Sequence, residues 1–109
     1  MSKLIGAFVF EDLGDGCLTG KWLNNNEPTP YPEAAKLKRI KEEEKKEKEP
    51  FEGLYTTTWI ELRDQPEYSD LFIEKRGEIY HLEWRNGNNI IFQGRGMLYR
   101  NILIGPYWQ

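Results

Sequence analysis

Residues 78–98, EIYHLEWRNGNNIIFQGRGML, decide the fold. Two apolar, aromatic-rich runs flank Asn86-Gly87-Asn88, and an Asn-Gly pair between alternating runs is a strong hairpin signal, because both residues tolerate the positive φ of a tight turn. In the first run, 78–85, Tyr80, Leu82 and Trp84 share one face while His81, Glu83 and Arg85 share the other. That period of two describes a strand with one face in the core. The second run, 89–98, contains Gly94 and Gly96, which allow a bend or bulge.

The same pattern continues in both directions. Downstream, Tyr99-Arg100-Asn101 turns the chain into 102–108 (ILIGPYW), where Pro106 suggests an edge or a strand end. Upstream, Arg76-Gly77 joins the hairpin to a strand at 68–75 (YSDLFIEK). Residues 52–63 (EGLYTTTWIELR) are rich in the β-branched and aromatic types that favour strands. There Tyr55, Thr57, Trp59 and Glu61 alternate with Thr56, Thr58, Ile60 and Leu62, and Asp64-Gln65-Pro66-Glu67 ends the run. At the N-terminal side, 4–12 (LIGAFVFED) puts Phe8 and Phe10 on one face, and 17–24 (CLTGKWLN) puts Leu18, Gly20 and Trp22 on one face. The turn residues Leu13-Gly14-Asp15-Gly16 join them. Three Asn and three Pro between Asn24 and Pro32 argue against continuing that second strand.

One segment differs in kind. Residues 33–49 (EAAKLKRIKEEEKKEKE) hold seven Lys/Arg and six Glu, none of the fifteen aromatics and only four apolar residues. The net charge of −3 is therefore an acidic, aromatic body carrying a basic insert. The spacing predicts a helix over about 33–48, with the favourable pairs Glu42–Lys46 and Glu44–Lys48. Ala34, Leu37 and Ile40 form its weak apolar stripe and Pro50 its stop; a solvated, unstructured linker is the alternative.

The expected fold class is thus mostly β: one domain over 1–109, an antiparallel meander of about seven strands closing into a small calycin-like barrel, with one charged helix inserted. A stacked sandwich is the other arrangement for this strand count. Closure is favoured because the middle strands carry few devices that protect an exposed edge. Leu4-Ile5-Gly6-Ala7-Phe8, Phe51-Glu52-Gly53-Leu54-Tyr55 and Leu103-Ile104-Gly105-Pro106-Tyr107 share the order apolar, x, Gly, x, aromatic. A glycine facing an aromatic ring suits the tight coiling of a small barrel.

At 109 residues the chain is too short for a two-domain enzyme or a TIM barrel. Cys17 is the only cysteine and His81 the only histidine, which leaves no internal disulfide and makes a zinc site improbable. No metal and no cofactor are expected. Asp12-Leu13-Gly14-Asp15-Gly16 lacks the alternating oxygen ligands and distal Glu of a calcium loop. Ser2 and Ser69, the only serines, lie outside any nucleophile elbow. Lys21, Arg85, Arg95 and Arg100 could form a basic strip, but the acidic body argues against nucleic acid. The apolar run from Leu4 to Phe10 is too short for a membrane span or a secretory leader, and with one free cysteine the expected location is cytoplasmic.

Cys17-Leu18-Thr19-Gly20-Lys21-Trp22-Leu23-Asn24 resembles the first strand of avidin-type biotin binders, and its Gly-x-Trp also occurs in lipocalins and fatty-acid-binding barrels. Phe51-Glu52-Gly53-Leu54-Tyr55-Thr56-Thr57 is similar to a later avidin strand, and Tyr80-His81-Leu82-Glu83-Trp84 with Phe92-Gln93-Gly94 to that family's Trp and Phe-x-Gly strands. The resemblance covers about 35 residues in three pieces. It implies ureido-binding positions at Asn24, Tyr55 and Thr57 and aromatic-box positions at Trp84 and Phe92. The charged insert stands where that family has a short hairpin and a ligand-closing serine.

The candidate ligand-binding set is Trp22, Asn24, Tyr55, Thr57, Trp59, Glu61, Tyr80, Trp84 and Phe92, with no catalytic residue. An inward Glu61 would orient a ligand in an aromatic pocket, or else sit at the strand end, bonding solvent, Arg63 or Arg95. The expectation is a non-enzymatic barrel that binds a small apolar or aromatic ligand in its interior. The rival is a protein-interaction module or homodimer that uses 102–108 as an edge strand, with Tyr107 and Trp108 exposed.

Overall fold

The computed structural model describes residues 3–39, 49–60 and 66–109. Eight strands follow one another in chain order: β1 Ile5–Gly14, β2 Cys17–Asn24, β3 Tyr31–Arg39, β4 Gly53–Ile60, β5 Pro66–Arg76, β6 Ile79–Asn86, β7 Asn89–Tyr99 and β8 Ile102–Trp108. Each pairs antiparallel with the next, and β1 also pairs with β8, so the sheet closes into a barrel. No helix occurs among the described residues.

The turns obey the local chemistry. Gly77 and Gly87 hold φ of 64° and 59°. Arg100 and Asn101 both take positive φ, the signature of the tight turn whose twist matches two antiparallel strands. The interior follows the alternation read from the sequence: Phe8 and Phe10, Leu18 and Trp22, Tyr55 and Trp59, and Tyr80, Leu82 and Trp84 are all buried. Two glycines admit the rings. A Cβ on Gly6 would lie 2.7 Å from Cζ of Tyr107, and one on Gly20 would lie 2.6 Å from Cδ1 of Phe10.

The charged segment corrects the expectation of a helix. Residues 31–39 form β3, hydrogen-bonded between β2 and β4 with Ala35 opposite both Leu18 and Thr57. Glu33 and Ala35 are buried and Leu37 is half-buried, while Ala34, Lys36 and Lys38 are exposed. Helical ion pairs contribute only about 0.2–0.5 kcal/mol each. A strand seated here instead satisfies backbone groups along both sides and completes the barrel. The rest of the predicted helix, 40–48, lies outside the described residues. Tyr31 and Pro32, read as loop, begin β3, where Pro32 pairs with Lys21.

The strand 102–108 is not an edge, because β8 is paired with β1 and with β7. The β7–β8 ladder skips from Gly94↔Tyr107 to Met97↔Ile104, so the pairing lapses beside Pro106, which has no N–H to contribute. Tyr107 points inward and is 5% exposed, which corrects its expected exposure.

One end of the barrel is filled. Phe51 is buried just before β4 at a φ of 71°, edge-on to Tyr80, and its carbonyl accepts a hydrogen bond from the Tyr55 hydroxyl at 2.9 Å. The Tyr80 hydroxyl is buried there without a hydrogen-bond partner among the described residues. The interior space lies toward the other end, near the β2–β3 connection and the β6–β7 turn.

Candidate ligand cavity

A cavity of about 70 Å³ opens among the inward side chains of that end. One water needs about 10–15 Å³ on this measure, so the space holds several waters or a ligand headgroup of a few heavy atoms. Its walls come from seven strands, six of which supply rings. Phe8 of β1, Trp22 of β2, Trp59 of β4, Trp84 of β6, Phe92 of β7 and Tyr107 of β8 present rings to it. Strand alternation delivers each one: Trp84 and Phe92 are cross-strand partners, as are Phe8 and Trp22.

The rings brace one another. Tyr107 packs edge-on against Phe92 at 5.6 Å between centroids and against Trp22 at 6.5 Å, and lies 5.9 Å from Trp84. Tilted and edge-to-face pairs of this kind add about 0.5–1.5 kcal/mol beyond area burial. Asn24 donates from Nδ2 to the Tyr107 hydroxyl at 2.9 Å and accepts at Oδ1 from the Asn26 backbone N–H at 2.8 Å. It therefore fixes both the Tyr107 ring and the start of the β2–β3 connection.

The chemistry of the cavity centres on Glu33. Its side chain lines the space and is only 5% exposed. Trp84 donates from Nε1 to Glu33 Oε2 at 3.0 Å, and the Thr57 hydroxyl bonds the same oxygen. Burial pushes the Glu33 carboxyl up from an ordinary 4.5 to about 7, against the opposing pull of the Thr57 and Trp84 hydrogen bonds. The Thr57 hydroxyl has one hydrogen, yet it lies within bonding distance of Glu33 Oε2 and, at 3.2 Å, of the Ala34 carbonyl oxygen. Thr57 is the donor to Glu33 Oε2; protonation of Glu33 would reverse that bond and leave the Thr57 hydrogen for the Ala34 carbonyl.

Of the nine residues singled out by sequence, Trp22, Asn24, Trp59, Trp84 and Phe92 line the cavity. Thr57 stands behind it as the partner of Glu33. Tyr55 and Tyr80 lie at the filled end, so the hydroxyls of Tyr55 and Thr57 and the amide of Asn24 serve separate protein partners instead of converging on one ligand group. Glu61 lies outside the described residues. The buried acid among the described residues is Glu33, which falls in the segment 33–48 expected to be a charged helix. Its signal was present in the sequence as the alternation Glu33, Ala35, Leu37 against Ala34, Lys36, Lys38. Glu27, Phe8 and Tyr107 also line the space without having been singled out.

Compared with known proteins, the chain matches no family model, no curated protein and no solved structure.

Proposed function

We propose that this chain is a non-enzymatic binding barrel that takes a small ligand with an apolar or aromatic body into its interior. The observation that carries the reading is the ring-lined cavity with one buried carboxyl at its wall. Binding sites for small molecules are typically concave and mostly apolar, with a few placed polar groups, and small eight-stranded barrels are otherwise filled by their own side chains.

Native mass spectrometry of freshly purified protein, together with NMR titration by phenol and indole, tests this. The expected result is a bound adduct or saturable shifts of the Trp22, Trp59 and Trp84 indole N–H signals. A homogeneous apo mass with no shift for any of these aromatics would overturn it.

A second reading, self-association, is favoured by a different observation. Val9 of β1, Ile104 of β8 and Met97 of β7 are cross-strand neighbours on the outer face, with Ile104 41% and Met97 60% exposed. Closure of the barrel leaves face-to-face packing rather than strand addition as the mode. A strict monomer by light scattering would remove it.

A further inference from the structure

Two carboxyl groups line the cavity: Glu33 in the wall, and Glu27, half-buried, from the β2–β3 connection. No Lys, Arg or His is among the described residues that line it. The same walls hold three indoles, from Trp22, Trp59 and Trp84. Indole faces attract cations through the negative face of the ring, and that attraction grows when water is excluded. An anionic ligand would meet two acids without a counter-charge here. A wholly apolar ligand would make no use of Glu33, a group costly to bury in its charged form. A cation makes use of both the rings and the acid.

We propose that the cavity binds a small organic cation, an alkyl- or arylammonium, held over the indole faces and paired with the Glu33 carboxylate; this deepens the small-ligand reading above and rests on it. The positive charge takes the place of a proton. Protonated, in the empty cavity, Glu33 donates to the Thr57 hydroxyl and leaves the Thr57 hydrogen for the Ala34 carbonyl. When the cation enters, the Glu33 proton leaves to solvent, and Thr57 turns its hydrogen to Glu33 Oε2, joining the Trp84 N–H. The other titratable groups facing this space among the described residues are Glu27 and the phenol of Tyr107, which Asn24 already holds. Among the described residues, β4 and β6 present Thr57, Trp59 and Trp84 to Glu33. Binding therefore strengthens as pH rises and Glu33 gives up its proton.

The test uses choline and its neutral isostere 3,3-dimethylbutan-1-ol, titrated into the full chain by calorimetry and by NMR of the indole N–H signals near pH 6 and near pH 8. Choline is expected to bind about tenfold or more tighter than the isostere, with affinity rising several-fold from the lower to the higher pH. Glu33→Gln is expected to weaken choline binding by about tenfold and abolish its pH dependence, while the isostere is unaffected. Glu27→Gln, at a half-exposed position that tolerates change, is expected to weaken choline by a few-fold, which keeps the test open if Glu33→Gln does not fold. Equal binding of choline and the isostere, with no pH dependence, overturns the cation inference and leaves the small-ligand reading standing. No binding of choline, the isostere, phenol or indole overturns both.

Discussion

Trp84 and Glu33, 51 residues apart in the chain, meet through one hydrogen bond of 3.0 Å from the indole N–H to a carboxyl oxygen. β6 and β3 are not neighbours in the sheet, so the bond crosses the barrel interior. It joins the aromatic lining to the buried acid, and it makes the cavity wall depend on both.

Replacing that donor tests the link. Trp84→Phe keeps a ring but removes the N–H and part of the indole, which also packs on Phe8, Phe92 and Tyr107. The expected loss of stability is about 2–4 kcal/mol by urea denaturation. The Glu33 carboxyl should titrate above its present value of about 7, because one hydrogen bond that lowers it is gone. An unchanged Glu33 titration by carboxyl-selective NMR would contradict the geometry.

The raised Glu33 carboxyl also fixes the sign of a pH dependence. Unfolded, the group titrates near 4.5; folded, near 7. Between these values the folded state holds a proton that the unfolded state has released, so Glu33's contribution to stability is full below pH 4.5 and falls as pH rises toward 7. The loss is about 3.5 kcal/mol at most, from about 1.4 kcal/mol per pKa unit. Glu33→Gln should flatten this part of the stability curve, as measured by denaturation across that range. A wild-type curve that rises over the same interval, with Glu33→Gln following it, would contradict the assignment.

Two neighbouring alanines distinguish the strand from the helix. Ala35 is 4% exposed and faces the core, whereas Ala34 faces solvent. Ala35→Lys should cost about 3 kcal/mol or more by burying an unpaired charge, and Ala34→Lys should stay within about 0.5 kcal/mol. A helix with Ala34, Leu37 and Ile40 as its docked stripe would reverse that order, so thermal denaturation of the two variants decides between them.

Gly6 and Gly77 separate steric need from conformational need. A Cβ on Gly6 would press into the Leu23 carbonyl oxygen and the Tyr107 ring, and the backbone on that side cannot yield. Gly6→Ala should cost about 3 kcal/mol or more and disturb the Asn24–Tyr107 hydrogen bond. Gly77 has open space around it but a φ of 64°, so Gly77→Ala should cost only about 1–2 kcal/mol. Similar melting temperatures for the two variants would argue against the packing of Tyr107 on β1.

The Tyr80 hydroxyl, buried without a partner among the described residues, is expected to be a burden on the fold. Tyr80→Phe removes the unsatisfied group and keeps the ring against Phe51. The expected change is a gain of about 1 kcal/mol in chemical denaturation. A loss of similar size would mean that the hydroxyl has a stabilising contact.

Seven of the eight strands, and the inward faces that carry Phe8, Trp22, Tyr55, Trp59 and Trp84, could be read from sequence because side-chain alternation is a local property of extended chain. The turns were readable for the same reason, since positive φ at Gly77 and Gly87 is a residue's own conformational preference. β3 was not readable with the same force. Glu33-Ala34-Ala35-Lys36-Leu37-Lys38 is built from good helix formers and also alternates, so its own preferences do not choose between the two forms. The hydrogen-bonding edges of β2 and β4 on either side choose the strand, and those edges are in place only once the barrel closes. The same closure turns Glu33 from one charge in a run of thirteen into a buried acid, because its partners Thr57 and Trp84 lie 24 and 51 residues further along the chain. Local pattern determined which side chains face inward; tertiary pairing decided which of them meet, and therefore where the cavity has its acid.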